Sequence, residues 1–375
     1  MKRCIVCGSK IKGLFQMENM PASAQNIPSR EELGGERGIS IRLCACQGCG
    51  LVQLDSPPVD YYKDVIRAGG YSTTMADLRR SQYREFIELA KLEGKKIVEA
   101  GCGRGEFLKM LLPFPVEAFG IEHKKDLVEI AKKEGLRVEE DFPEGPEHRL
   151  SHGPFDAFTS FNFLEHQPHP RAYLQCLYNN LAPEGWGLIT VPSFEYIQEQ
   201  NSFYEIIPDH IAYYTAKSLT HVLQGAGFTV VKQEIVNRDT HAVIVKKRPL
   251  PDVSGILGRK EAIGAEVEAL VKAGEREGKK TAIWGASHQG FTLCAVTGMG
   301  DKICYIIDSA PFKQGKFAPA SHVPIVSPGE ARENPADVIV IVAPGYTAEI
   351  AGLIRKDFPA GTEIYTLKTD RLEKL

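Results

Sequence analysis

Three groups of side chains in this chain of 375 residues have types and spacings that could do chemistry. The first is Cys4-Ile-Val-Cys7 with Cys46-Gln-Gly-Cys49, two C-x-x-C pairs, each followed by a glycine, Gly8 and Gly50. Each pair turns two thiolates toward one ion, and two pairs complete a tetrahedral Cys4 site for Zn2+. Four protein ligands close the coordination shell, so that zinc is structural rather than catalytic. Cys44 is the spare thiol, because the trailing Gly50 favours Cys46 with Cys49. The second group is Glu99-Ala-Gly101-Cys-Gly103-Arg-Gly105, whose alternate glycines allow a sharp turn and let a ligand lie almost against the main chain. Further along, Glu122 ends an apolar stretch with a carboxylate suited to a pair of ribose hydroxyls. The third is two acid–histidine pairs, Glu165-His166 and Asp209-His210. A neutral imidazole can take a proton near neutrality, and an adjacent group can tune it.

Positioning these groups requires two or three cores, and the chain is long enough for them. Five of its nine cysteines fall in the first 49 residues, marking an amino-terminal module of residues 1–60. So small a module holds little core and needs the metal for folding energy. Pro57-Pro58 and Tyr61-Tyr62 mark its exit, and residues 75–93 read as an amphipathic helix with Met75, Leu78, Phe86, Leu89 and Ala90 on its apolar face. From Ile97 to Lys247 strands and helices alternate, the pattern of a doubly wound α/β sheet, and residues 61–249 form the central domain. Ile97–Ala100 is its first strand, leading through the glycine turn into a helix. Ala118–Glu122, residues 136–141, Phe155–Asn162 and Gly185–Pro192 follow, and Phe228–Val236 and His241–Lys247 pair antiparallel. Pro249-Leu-Pro251 breaks the pattern, residues 255–277 read as a helix, and Lys280–Gly290 repeats the strand–glycine turn–helix theme. Residues 250–375 are therefore a second Rossmann-like unit, whose glycine spacing departs from the dinucleotide fingerprint.

Composition restricts the function classes. With 43% hydrophobic residues, 25% charged residues and a net charge of −3, the chain lacks the basic blocks of a phosphate-backbone binder. Arg30, Arg37 and Arg42 are scattered among acids, which argues against a nucleic-acid zinc ribbon. No apolar leader opens the sequence and no stretch reaches the roughly 18 apolar residues of a membrane span. The expectation is a cytoplasmic protein, monomer or homodimer, with a small-molecule partner and neither nucleic acid nor membrane.

The form E-x-G-x-G-x-G resembles the first motif of class I S-adenosylmethionine-dependent methyltransferases, and the strand pattern resembles their fold. That resemblance implies that Glu99, Gly101, Gly103 and Gly105 meet the donor and that Glu122 takes its ribose. It also implies that Asp141 and Phe142 bracket the adenine and that Phe161 and Asn162 close the pocket. On burial preference alone, Phe161 is a core residue. The whole chain resembles the three-domain sugar C-methyltransferases: a Cys4 zinc module, a class I core and a carboxyl-terminal Rossmann-like domain. The carboxyl-terminal likeness rests on Trp284–Gly290, Ile307–Lys316 and His322–Pro328. Such enzymes methylate a carbon beside the ketone of a nucleotide-linked keto-deoxysugar, a histidine base generating the enolate. By position the base falls on His210, its acidic neighbour on Asp209 and a second histidine on His166, which or a tyrosine would steady the enolate oxygen. Two positions depart from the family pattern, Ile207 in place of tyrosine and Gln289 in place of lysine. They leave open an O- or N-methyltransferase with another acceptor. A separate reading, a non-enzymatic zinc-ribbon regulator with a vestigial core, is opposed by the intact glycine motif with Glu122 and the absence of basic surface.

Overall fold

The computed structural model describes residues 3–64 and 72–375. Packing divides the chain into two units, Met1–Pro249 and Leu250–Leu375. In the first unit, β1 (Ile11–Met20), β2 (Ile39–Cys46) and β3 (Val52–Leu54) precede α1 (Thr73–Ala90). Then follow β4 (Lys96–Ala100), β5 (Glu117–Glu122), α2 (Lys125–Lys133), β6 (Val138–Glu140), β7 (Phe155–Phe161), α3 (Pro170–Asn179) and β8 (Leu181–Pro192). The unit ends with α4 (Phe194–Gln200), β9 (Ala212–Tyr213), α5 (Ala216–Gly225), β10 (Phe228–Val236) and β11 (Thr240–Lys247).

The larger sheet runs β10-β11-β8-β7-β4-β5-β6, parallel from β6 to β8, with β11 antiparallel to β8 and to β10. The apolar run Ile97-Val98 with Ala100 makes β4 the buried central strand, as a parallel strand covered on both faces requires. Strand order reverses beside β4, so a crevice opens at the carboxyl ends of β4 and β7, and the glycine turn lies there.

The chain departs from its sequence pattern at two points. The glycine turn runs into a single 3₁₀ turn, Leu108–Leu111, rather than the expected helix. Pro113 and Pro115 follow at once, and the residue before a proline is disfavoured in the α region, so no longer helix can grow. The buried stripe of α1 is Ala76, Arg79, Gln82, Tyr83, Phe86 and Ile87, whereas Leu89 is 43% exposed. Arg79 hides this from a polar–apolar reading: its guanidinium lies 3.3 Å from the centre of the Phe161 ring and 4.6 Å from that of Phe107.

The first sixty residues pack into the same unit as the larger sheet. Strands β1, β2 and β3 form an antiparallel sheet whose fourth strand is β9, from the distant segment after His210. Val52 pairs with Tyr213 and Gln53 with Ala212, and the Leu54 N–H donates to the Ile211 carbonyl at 3.0 Å. Cys4, Val6, Cys46 and Leu51 share one core with Val98, Leu164, Ile211 and Tyr214.

The second unit carries α6 (Ser254–Arg276), β12 (Thr281–Trp284), α7 (His288–Thr297), β13 (Ile303–Ile307), β14 (Ile325–Val326), α8 (Pro328–Glu333), β15 (Val338–Ile341), α9 (Thr347–Asp357), β16 (Glu363–Leu367) and β17 (Leu372–Lys374). Its sheet runs β14-β13-β12-β15-β16-β17, parallel except for β17. Gly285 has φ +126°, and a Cβ there would stand 2.7 Å from the Val342 carbonyl oxygen. Asp308, after β13, accepts the Ala286 N–H of this turn and pairs with Lys313, both at 2.9 Å. Gln289 is exposed in the first turn of α7. Among the described residues no helix is long and apolar enough to cross a membrane.

Candidate active site and cysteine cluster

Two C-x-x-C turns bring the Sγ atoms of Cys4, Cys7, Cys46 and Cys49 within 4.8 Å of one another. Cys4 lies 3.6 Å from Cys49 and Cys7 3.4 Å from Cys46, sulfur to sulfur, and none forms a disulfide. Tetrahedral zinc with bonds of about 2.3 Å puts its sulfurs about 3.8 Å apart, so the cluster fits that ion. Gly8 and Gly50 take φ +73° and +74°, the left-handed conformation that closes each turn. Backbone N–H groups of Val6, Gly48 and Cys49 point at the sulfurs of Cys4 and Cys46 at 3.3–3.4 Å, as they would toward thiolates. Burial pushes the Cys4 thiol up to about 11 and Cys49 higher still, a cost that a dication among four thiolates offsets. Cys44, buried in β2, stands outside the cluster.

The glycine turn follows β4. Gly101, Gly103 and Gly105 take φ +72°, +59° and +84°. The N–H groups of Gly101 and Cys102 both donate to the Ile121 carbonyl, fastening the turn to β5. Glu99 is wholly buried at the end of β4. Each Glu122 oxygen accepts one backbone N–H, from Gly103 and Lys124, both at 2.9 Å. A carboxylate has about four acceptor sites, so two remain for hydroxyls. Asp141 is oriented by the Phe142 N–H at 2.7 Å and by His148 Nε2 at 2.6 Å. Phe142 meets the rings of Tyr62, His123 and Phe163, with Lys63 Nζ 4.7 Å from its centre.

Phe161 packs instead with Tyr83, Phe107 and Arg79, in the core under α1. The aromatic ring at the glycine turn is Phe163, whose ring atoms lie 3.7 Å from the spot a Gly101 Cβ would occupy. Strand alternation would put residues 161 and 163 on one face, but Asn162, at φ +47°, turns the chain so that they join different cores. The Asn162 side-chain oxygen accepts from the Thr190 hydroxyl at 2.7 Å. No periodicity in the sequence signals this switch.

Gly105 tests the turn. A Cβ there would stand 2.1 Å from Leu136 Cδ1, in a backbone conformation L-residues avoid. Gly105→Ala is expected to cost about 2–4 kcal/mol, read as a fall in the thermal midpoint together with weaker binding of S-adenosylhomocysteine by calorimetry.

The two histidines, 44 residues apart in sequence, converge where the loops after β7 and α4 meet. The His166 and His210 rings lie 4.8 Å apart at an interplanar angle of 69°. Glu165 Oε1 stands 3.9 Å from His166 Nε2. His166 Nδ1 lies 2.7 Å from the Asp209 carbonyl oxygen, which can only accept, so Nδ1 carries the proton and Nε2 keeps its lone pair. The acid–histidine neighbours of the sequence do not pair in space at Asp209. Its carboxylate turns away, taking the Tyr61 hydroxyl at 2.7 Å and the Ala24 N–H at 2.9 Å. Ile207 is held from both sides by Tyr213, whose Oη accepts the Ile207 N–H at 2.9 Å and donates to its carbonyl at 3.1 Å. The roles of Tyr61 and Ala24 had no signal in the sequence, since both reach the site only through folding.

Burial lowers the His166 imidazole to about 4 and, with the neighbouring His166, that of His210 to about 3. Both are neutral at physiological pH. Unfolded, each titrates near 6.5, so between about 6.5 and 4 the unfolded chain binds more protons and stability falls as pH falls. The groups facing the pair are Glu165, Tyr213 and the Asp209 carbonyl. The thermal midpoint is expected to drop from pH 7 to pH 5, and a His166→Gln/His210→Gln double variant to lose part of that slope.

Residues 75–233 match a family described as a methyltransferase domain, and residues 258–365 one described as a C-methyltransferase C-terminal domain. The chain is similar to the C-methyltransferase NovU of Streptomyces niveus, 24% identical over 387 aligned residues, covering 92% of this chain and 90% of that protein. It is 31% identical to a ubiquinone biosynthesis O-methyltransferase of Nitrosococcus oceani over 103 residues, 26% of this chain and 43% of that protein. Among solved structures, a SAM dependent methyltransferase from Archaeoglobus fulgidus is 20% identical, covering 46% of this chain and 94% of its own, with a TM-score of 0.38.

Proposed function

This chain belongs to the C-methyltransferase family of S-adenosylmethionine-dependent enzymes, and on that premise we propose that it methylates the carbon beside the ketone of a nucleotide-linked keto-deoxysugar, with His210 as general base. The observation that carries this reading is the pair of neutral imidazoles beside the donor crevice, one of them with its tautomer fixed. A base for carbon deprotonation must be uncharged at working pH and confined by its surroundings. Burial keeps the His210 imidazole uncharged, and the rings of His166 and Tyr213 pack against it edge-on.

Gly101, Gly103, Gly105 and Glu122 would hold the donor's methionine and ribose, with Phe142 and Phe163 walling the adenine end. Bound there, S-adenosylmethionine supplies a sulfonium methyl that a carbon nucleophile attacks. An imidazole nitrogen of His210 takes the proton of the α carbon, and the bonding pair moves into the enolate. His166 does not steady the enolate oxygen in its resting form, because its one N–H is given to the Asp209 carbonyl. The Tyr213 hydroxyl is likewise committed to Ile207. His166 instead packs its ring edge-on against that of His210 and so restricts the orientation of the base. The Cys4 cluster would hold a structural zinc with no part in the chemistry.

The test is exchange. Incubated in deuterated water with S-adenosylhomocysteine and a nucleoside-diphosphate-4-keto-6-deoxyglucose, the protein is expected to exchange the proton alpha to the ketone. Turnover with S-adenosylmethionine should then give a product with a new C–CH3 carbon signal. Tight donor binding without exchange, or a new methoxy signal, would overturn this reading.

A further inference from the structure

Asp209 is buried, yet neither of its carboxylate oxygens is hydrogen-bonded to an imidazole. Oδ1 accepts the Tyr61 hydroxyl proton at 2.7 Å and Oδ2 the Ala24 N–H at 2.9 Å. Tyr61 has one proton to give, and the carboxylate takes it. The second contact of its oxygen, to Ser23 Oγ at 2.5 Å, must therefore be donated by Ser23. Ser23 Oγ accepts in turn from the N–H groups of Gln25 at 3.0 Å and Asn26 at 2.7 Å. Every proton in the chain from Asn26 to Asp209 thus has one consistent direction. The same residue's carbonyl then receives His166 Nδ1–H at 2.7 Å. Segments 185, 148 and 43 residues from Asp209 meet on this one side chain and its carbonyl.

We propose that Asp209 is a positioning residue: its carboxylate bolts the His210 loop to Tyr61 and the Ser23–Asn26 turn, and thereby holds its carbonyl where it fixes His166 as the Nδ1–H tautomer. Tyr61 and Ser23 are the other parts of the device. In water an isolated imidazole is free to carry its proton on either nitrogen, so the tautomer depends on that carbonyl staying in position. Both carboxylate oxygens are taken up by Tyr61 and Ala24 and neither reaches an imidazole, which separates this role from acid–base catalysis. The inference takes the histidine pair as the working site, but its principal test needs no acceptor.

The experiment compares wild type, Tyr61→Phe, Asp209→Asn and the double variant. Nitrogen-15 histidine spectra of the whole protein are expected to show one Nδ1–H tautomer in wild type, giving way to mixed tautomers in each variant. Affinity for S-adenosylhomocysteine should not change. With a nucleoside-diphosphate-4-keto-6-deoxyglucose, α-proton exchange is expected to fall about 10–100-fold in each single variant, the loss attached to misplacement of a reacting group. Because both substitutions break one chain of bonds, the double variant should be no slower than Asp209→Asn, and the acid limb of the rate profile should keep its midpoint. An unchanged tautomer in the variants, losses that multiply, or an acid limb moved by Asp209→Asn would each overturn the proposal. If wild type exchanges no α proton, the choice of acceptor fails, while the tautomer spectra still decide the role of Asp209.

Discussion

Replacing His210 by alanine is expected to lower kcat by about 10²–10⁴-fold, the range for a lost general base, while affinity for S-adenosylhomocysteine stays within about twofold. The reasons are geometric. His210 lies on the loop after α4, whereas the donor-side groups come from the glycine turn, β5 and the end of β7. Removing the imidazole touches none of the bonds that fasten Gly101 or Glu122. The fall should appear in α-proton exchange as well as in methyl transfer, since deprotonation comes first. Calorimetry with S-adenosylhomocysteine and exchange followed by proton NMR read the two quantities separately. Exchange that persists in His210→Ala, with methyl transfer alone lost, would move the base to another residue. His166→Gln should be milder in exchange, because it removes only the partner that orients His210.

The second large effect belongs to the cysteine cluster. Cys46→Ser is expected to abolish binding of one zinc equivalent, measured by elemental analysis, and to unfold the amino-terminal sheet. Structural zinc contributes about 10–16 kcal/mol in small modules, against the roughly 5–15 kcal/mol that holds a whole domain together. Cys46 ends β2, which pairs with β3, and β3 pairs with β9 directly after His210. Losing the ion should therefore loosen the base loop as well as the module, and activity should fall with the zinc content on titration with a chelator. Cys44→Ser is the control: Cys44 lies two residues from Cys46 but outside the cluster, so zinc content should stay at one equivalent. A Cys46→Ser protein that retains full zinc and a wild-type melting curve would refute the assignment.

Much of this architecture is legible in the chain. Apolar runs such as Ile303–Ile307 and Val338–Ile341 are continuous and local, and they became buried parallel strands. The C-x-x-C pairs and the glycine turn are equally local. Their geometry follows from spacing and from φ values only glycine adopts readily, so Cys4, Cys7, Cys46 and Cys49 converge as their pattern implies. The errors fall where one residue changes what its neighbours face. Asn162 enters the left-handed region and sends Phe163, rather than Phe161, to the glycine turn. Arg79 is buried by stacking on two aromatic rings, so the apolar face of α1 lies about a quarter turn from the one its leucines suggest.

By itself, then, the sequence determined most of the strands and helices, the glycine turn and the two C-x-x-C turns, because each is specified by residues a few positions apart. The company each histidine keeps was decided only by tertiary structure. Asp209 precedes His210 in the chain, yet its carboxylate serves Ala24 and Tyr61, and its carbonyl serves His166. Asp209 sits in a turn closed by the His210 N–H on the Ile207 carbonyl, and its carboxylate leaves that turn toward Ala24 and Tyr61, so adjacency in the chain does not make an acid–base pair. Partners must come from elsewhere in the chain, and here β9 and the Ser23–Asn26 turn bring them.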